Sequence, residues 1–123
     1  MKKILKFVMP LVLIMSFYTY NADNAFASTS EGVSVSSSTT YNSSNSVNAS
    51  SKVFILLKNY GSVDIIWQIH NANGALDSDT YTIRPGEAVG KWVNTNSNTK
   101  HKLALYCTGD TNKCSGTGNI SLN

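Results

Sequence analysis

The sequence has little charge, little proline and few cysteines. Charged residues make up 14% of its 123 residues, and it contains two prolines and two cysteines. Two cysteines are too few for a paired-cysteine zinc site or a disulfide-rich scaffold. The nucleophile elbow Gly-x-Ser-x-Gly, the zinc motif His-Glu-x-x-His and the phosphate-binding glycine loop do not occur. These absences favour a non-catalytic protein without a cofactor.

The sequence also lacks an apolar run as long as the roughly 20 residues that a membrane-spanning helix needs. Its longest run, from Phe7 to Phe17, follows three lysines and is followed by Ala25-Phe26-Ala27. A positive region, an apolar region and a small-x-small cleavage site are the parts of a secretory signal peptide. We expect a signal peptide over residues 1–27, cleaved after Ala27, and a secreted, extracellular protein. Retention as an N-terminal anchor is the alternative, and the short lysine-rich leader is typical of bacteria.

An excess of basic residues is missing once this leader is set aside. The whole chain has ten Lys and Arg residues against seven Asp and Glu residues, and residues 28–123 have seven against six. A nucleic-acid surface usually needs a basic stripe. We therefore expect no nucleic-acid partner, and no integral membrane insertion after cleavage.

The next segment, residues 28–51, has few apolar side chains and consists mostly of Ser, Thr and Asn. Such a segment buries too little apolar surface to offset the entropy of ordering it. We predict a disordered linker or a removable pro-segment. A glycosylated stalk, or a short β arm that contains Val33 and Val35, is the alternative.

Residues 52–123 have the pattern of an all-β domain. Residues 63–70 alternate in polarity, which is typical of a half-buried strand. Reversals at Asn73-Gly74 and Pro85-Gly86 suit turns with positive φ, and Gly90 marks a predicted bulge. The predicted strands are 53–58, 63–70, 80–83, 88–93, 100–107 and 119–122. Their spacing predicts a small antiparallel β-sandwich of six or seven strands.

Two aromatic residues suit the core of such a sandwich. Trp67 lies on an early predicted strand and Tyr106 on a late one. In this respect the domain resembles immunoglobulin and fibronectin type III domains. The resemblance is one of architecture and implies no functional residue.

The two cysteines, Cys107 and Cys114, enclose a six-residue turn sequence. In a secreted chain, a cysteine on each side of a reversal predicts one intramolecular disulfide. The chain-entropy relation gives so short a loop a stabilisation of roughly 2–3 kcal/mol.

Candidate catalytic and metal-binding residues are sparse. The only histidines, His70 and His101, lie on predicted strands, where we interpret them as edge or surface residues. We therefore expect no enzyme activity and no resident metal. The nearest approach to a calcium site is a group of oxygen-bearing side chains around Gly74, whose order does not match an EF-hand: Asn71, Asn73, Asp77 and Asp79.

Exposed aromatic residues are the better candidates for a binding surface, because tyrosine and tryptophan suit such surfaces. Tyr60 lies in a predicted turn, and Trp92 has polar neighbours. We expect these two residues to contact a ligand, with Lys91 and Arg84 as polar partners.

The sequence favours a secreted, non-catalytic binding or adhesion module, which contacts a cell-wall or extracellular glycan or a protein partner. A secreted effector, such as a small bacteriocin or a membrane-perturbing toxin, is the second hypothesis. An inhibitor of a secreted enzyme is the third. The sequence does not determine the oligomeric state.

Overall fold

The computed structural model describes residues 28–122, so the predicted signal peptide lies outside the described residues. The described chain forms eight strands, with a 3-10 helix (Thr111–Lys113) between the last two. The strands are β1 (Ser30–Ser36), β2 (Tyr41–Ser43), β3 (Lys52–Asn59), β4 (Ile65–Asn71), β5 (Tyr81–Ile83), β6 (Ala88–Asn94), β7 (His101–Cys107) and β8 (Ser115–Ser121).

The strands form two four-stranded sheets. The first has the order β1-β8-β3-β6 and the second β2-β7-β4-β5, and all neighbouring strands are antiparallel. The prediction of a small antiparallel β-sandwich is therefore confirmed. The strand order is that of an eight-stranded jelly roll. The expected sandwich architecture specified no strand order, and here β1 and β2 each form one edge of a sheet.

These two additional strands come from the Ser-rich segment 28–51. β1 pairs with β8 along its whole length, and β2 pairs with β7. Val47, which follows β2, is fully buried. The prediction that this segment is disordered was therefore wrong, and the alternative of a β arm describes it. Among the described residues, the sandwich therefore includes β1 and β2 as well as the strands from residue 52 onward.

Complementary side-chain sizes explain how so polar a strand packs. Val33 and Val35 of β1 point into the core, and their partners on β8 are Gly118 and Gly116. A Cβ atom at Gly118 would overlap the side chain of Leu57. The glycines thus leave room for core residues that reach across β8.

Alternation of side chains along the central strands supplies most of the remaining core. On β3 the inward side chains are Val53, Ile55 and Leu57, and on β7 they include Leu103 and Leu105. Trp67 of β4 is 1% exposed, as expected for a core residue. The outward side chains of β3 are therefore free to form a surface.

The predicted turns at Gly74 and Gly86 both have positive φ, 85° and 80°. Gly90 does not mark a bulge, because the pairing of β3 with β6 runs without interruption from Lys52–Asn94 to Lys58–Ala88. That prediction was wrong, and Gly90 instead faces outward beside two apolar side chains of β3.

Candidate functional site

The outer face of the first sheet carries a groove of about 500 Å³. Its base is formed by β3, β6 and β8, where Leu56 lies between Gly90 and Asn119. A Cβ atom at Gly90 would lie 3.4 Å from Phe54 and 3.5 Å from Leu56. Because Gly90 has no side chain, the surface of the sheet is recessed at this position. We call this feature the outer-face groove; its outward-facing lining is Leu56, Lys58, Tyr60, Ala88, Gly90, Thr117 and Asn119.

Trp92 lies beyond one end of the outer-face groove. It is 45% exposed and pairs with Phe54, with ring centroids 5.2 Å apart and a tilt of 48°. The Nζ atom of Lys52 lies 4.6 Å from the centroid of the Trp92 ring. The indole is thus supported on one side by another ring while much of its surface meets solvent.

Tyr60 lies at the other end of the outer-face groove and is 64% exposed. Its backbone N–H donates to the carbonyl of Ser115 (2.8 Å), which fixes the turn after β3. Gly61 makes the same contact at 2.9 Å, and a Cβ atom there would overlap the backbone of Lys113 and Ser115. Only glycine therefore lets the turn that carries Tyr60 approach β8 so closely.

A buried amide holds this turn from below. The Nδ2 atom of Asn59 donates to the carbonyls of Val63 (2.8 Å) and Ile83 (3.0 Å), and its Oδ1 atom accepts from the N–H of Gly61 (3.0 Å). Asn59 is fully buried. The sequence analysis missed this residue; its position on the inward side of β3, in register with Val53, Ile55 and Leu57, is the signal that was available.

The two aromatic residues are separated by the length of β3. Six residues from Phe54, the partner of Trp92, to Tyr60 correspond to about 20 Å of extended chain. The structure thus brings the two predicted aromatic residues to one face, with Tyr60 in the lining of the groove and Trp92 beyond its other end.

Lys91 does not share that face. Neighbouring residues of a strand point to opposite sides, so Lys91 points inward from β6, and its Nζ atom lies 4.3 Å from the ring centroid of Tyr81. Tyr81 in turn stacks on Trp67, with centroids 4.3 Å apart. An inward-pointing lysine on an edge strand discourages pairing with another chain. Lys91 lines a cleft of about 570 Å³ that also contains Asp79 and one side of Trp92.

Arg84 lies in the turn between β5 and β6, outside the linings of the groove and the cleft. Its backbone N–H donates to the Oε1 atom of Glu87 (2.8 Å). Arg84 and Lys91 are thus on separate surfaces, and neither lines the outer-face groove.

The four calcium candidates use part of their oxygen atoms within the fold. The Oδ1 atom of Asn71 accepts from the N–H groups of Asn73 (2.9 Å) and Ala75 (3.0 Å). The Oδ2 atom of Asp77 lies 2.5 Å from the Nδ1 atom of His101. Within residues 28–122, three or more His, Cys, Asp or Glu side chains do not cluster in a way that would hold a metal ion. These oxygens shape the β4–β5 connection.

His101 is fully buried, so its interpretation as an edge or surface residue was wrong. It occupies an inward position of β7, like Leu103 and Leu105. Its Nε2 atom lies 3.1 Å from the carbonyl oxygen of Ser50, and its Nδ1 atom faces Asp77. Both ring nitrogens are engaged and hidden from solvent, so His101 serves the fold and does not reach a substrate in this conformation.

The predicted disulfide between Cys107 and Cys114 is confirmed, with Cα atoms 5.9 Å apart. It closes the connection from β7 to β8 around the 3-10 helix. The side chain of Asp110 caps this helix by accepting from the N–H of Asn112. The bridge therefore fixes the end of β8 that holds the turn at Tyr60.

The second sheet also carries an aromatic pair on its outer face, so the expectation that Tyr106 belongs to the core was wrong. Tyr41 is 52% exposed and its ring centroid lies 4.7 Å from that of Tyr106. Partial burial raises the pKa of the Tyr106 phenol, and the nearby Tyr41 adds to this effect through its charge and a hydrogen bond.

Comparison with known proteins adds solved structures of distant similarity. No protein-family model and no curated protein sequence matches the chain. PirA has a TM-score of 0.45 at 10% identity, covering 77% of this chain and 94% of PirA. The pre-peptidase C-terminal domain of collagenase from Bacillus anthracis has a TM-score of 0.41 at 15% identity, covering 77% and 88%. The carbohydrate-binding module CBM36, solved with calcium and xylotriose, has a TM-score of 0.41 at 9% identity, covering 78% and 76%.

None of the helices in residues 28–122 has the length and apolar character needed to cross a membrane.

Proposed function

We propose that this protein is a secreted, non-catalytic module that binds a glycan in the outer-face groove. The observation that carries the proposal is the position of Trp92 and Tyr60, which are both exposed on the outer face of one sheet, with Tyr60 in the lining of the groove and Trp92 beyond its other end. Aromatic faces bind the C–H groups of sugar rings, because the π-cloud is electron-rich and the rings present a flat apolar surface. Asn119 and Thr117 supply hydrogen-bonding groups between the two ends.

The shape of the surface supports a chain-like ligand. A groove of about 500 Å³ lies along the outer face of the sheet. The distance of about 20 Å between its aromatic ends suits a polymer that lies along β3. Adhesion, with the glycan on a cell wall or an extracellular matrix, is the process that such a module serves. The interpretation of a removable pro-segment is not retained, because residues 30–36 form an edge of this sheet.

The test is binding of the purified protein to insoluble peptidoglycan, cellulose, chitin and xylan, measured by depletion from solution. We expect retention on at least one of them. Trp92→Ala and Tyr60→Ala should each weaken retention, because losing an exposed aromatic contact of this kind costs about 1–2 kcal/mol, or about five- to thirty-fold in affinity.

Tyr41→Ala is the matched control, since Tyr41 is an exposed tyrosine on the opposite sheet. It should leave retention unchanged. Equal loss in all three variants, or no retention on any polysaccharide, would contradict the proposal. Dye release from vesicles in the absence of glycan binding would favour the membrane-perturbing effector instead.

A further inference from the structure

We infer that the ligand of the outer-face groove is an anionic polysaccharide, with carboxylate or phosphate groups along its chain. This inference rests on the proposed glycan function and names its ligand class. It follows from the charges that accompany the two aromatic residues.

Each of the two aromatic residues has its own ammonium group, from Lys58 within the lining of the outer-face groove and from Lys52 beyond its other end. The Nζ atom of Lys52 lies 4.6 Å from the Trp92 centroid, and the Nζ atom of Lys58 lies 5.9 Å from the Tyr60 centroid. Lys58 is also held in place, because its Nζ atom donates to the carbonyl of Gly86 (2.9 Å). A sugar ring stacked at either end would therefore have a positive charge beside it.

Carboxylates are missing from this face. Within residues 28–122, the outward positions of β1, β3, β6 and β8 carry no Asp or Glu, and the charged residues among them are Lys52 and Lys58. In the same part of the chain, neither Lys52 nor Lys58 has a carboxylate within 4 Å. The nearest acidic residue along the turn, Glu87, binds the backbone of Arg84. The two positive charges are thus uncompensated by their own sheet.

Protection of a sheet edge does not account for these lysines. Edge strands often carry lysine to prevent pairing with other chains, and Lys91 of β6 fits that role. Lys52 and Lys58 belong to β3, which has β8 on one side and β6 on the other. Their stems also cover apolar surface, a role that the uncharged stem of glutamine can partly fill. Replacing lysine by glutamine removes the positive charge but keeps part of the contact between the stem and the apolar surface. The substitution therefore separates the two effects.

An anionic membrane would also attract these lysines, but the surface between them suits it less well. The exposed aromatic residues are about 20 Å apart, and the groove between them includes Thr117 and Asn119. A membrane-inserting surface instead presents a continuous apolar area to the lipid. The charge and the groove together favour a polymer that threads between the two ends.

The experiment compares polymers with the same backbone and different charge. The protein is titrated with polygalacturonate and its methyl ester, and with phosphate-modified dextran and plain dextran, at low and high salt. We expect tighter binding to at least one charged member than to its neutral partner. The carboxylate and phosphate arms identify which anion is preferred. Because ionic contacts at an exposed surface are screened, the preference should shrink as the ionic strength rises.

Lys52→Gln and Lys58→Gln should each weaken binding to the charged polymer about two- to five-fold and leave binding to the neutral one unchanged. Lys102→Gln is the matched control, because it makes the same change of charge on the outer face of the second sheet. It should have no effect on either polymer. All variants are compared in melting temperature, so that a loss of fold is recognised.

The outcomes distinguish this inference from the proposed function. Equal binding to charged and neutral polymers, with lysine variants that match the control, would overturn the inference and leave the glycan module standing. Failure to bind any polysaccharide would overturn both. Lysine-dependent binding to vesicles of phosphatidylglycerol and phosphatidylcholine, without binding to any polymer, would replace both with a membrane-docking surface.

Discussion

Replacing buried valines of the Ser-rich segment tests whether that segment is part of the folded domain. Val35 is 3% exposed on β1, and Val47 is fully buried in the connection from β2 to β3. Changing valine to alanine removes the equivalent of two methylene groups. At about 0.8 kcal/mol for each buried group, each variant loses about 1.6 kcal/mol before any cavity is counted. If residues 28–51 were a solvated linker, the loss would be close to zero.

The assay is thermal and urea-induced unfolding of the oxidised protein, followed by far-UV circular dichroism. For a domain of this size, 1 kcal/mol corresponds to a change in Tm of about 4–8 °C. Val35→Ala and Val47→Ala should therefore each lower Tm by about 6–13 °C. Ser34→Ala is the control, because Ser34 lies beside Val35 on β1 and its side chain is exposed. Valine variants that melt together with Ser34→Ala and the unaltered protein would refute the assignment of this segment to the core.

Three further predictions concern stability. Asp77→Ala should lower the free energy of unfolding by about 1–3 kcal/mol in urea titrations, because it leaves the buried Nδ1 atom of His101 without its partner. A loss no greater than that of the Ser34→Ala variant would contradict this. Replacing Cys107 and Cys114 by serine should cost about 2–3 kcal/mol, and a reducing agent should then have no further effect on Tm. Because the pKa of Tyr106 is raised in the folded protein, this phenol ionises at a lower pH in the unfolded chain, and stability should fall as the pH rises through about 10. Phenolate absorbance at alkaline pH measures the shift. Ionisation of all tyrosines together at the ordinary pKa would contradict it.

Period-two alternation predicted the central strands well because their inward faces are almost purely apolar. On β3 and β4 the buried residues Val53, Ile55, Ile65 and Trp67 alternate with more exposed ones. The same rule places His101 inward with its apolar neighbours on β7. Our interpretation failed there because it gave the chemistry of an imidazole more weight than its position. The partner, Asp77, is 24 residues away, and only the fold brings the two side chains together.

The Ser-rich segment was misjudged for a different reason. The composition of a segment shows how much apolar surface it contains, but not which residues of the fold it packs against. β1 contributes two buried valines, and the residues paired with them on β8 are glycines. The two valines therefore pack into the core although the segment has few other apolar side chains. This complementarity involves residues about 80 positions apart and leaves no local pattern in either strand.

The candidate site depends partly on local sequence patterns, which could be predicted, and partly on contacts between distant residues, which could not. Exposure was predicted for Trp92 from its polar neighbours and for Tyr60 from its position in a turn, and the structure agrees. That they share a face depends on the register of β3 with β6 and on the buried amide of Asn59, neither of which a sequence pattern reveals. Lys91 was assigned to the same surface because it is next to Trp92 in sequence. Because neighbouring residues of a strand point to opposite sides, Lys91 meets Trp92 in the cleft on the inward side of β6 and does not reach the outer-face groove.

The boundary of the domain and the proposed function are therefore linked. β8 supplies Thr117 and Asn119 to the outer-face groove, and its other neighbour in the sheet is β1. Cleavage before Lys52 would remove β1, leave the backbone of β8 unpaired along one side, and uncover the core beneath its glycines. A chain shortened in this way should lose glycan binding together with stability, although every residue that lines the groove is still present. Processing at this point would thus act as an off-switch for the module and not as its maturation.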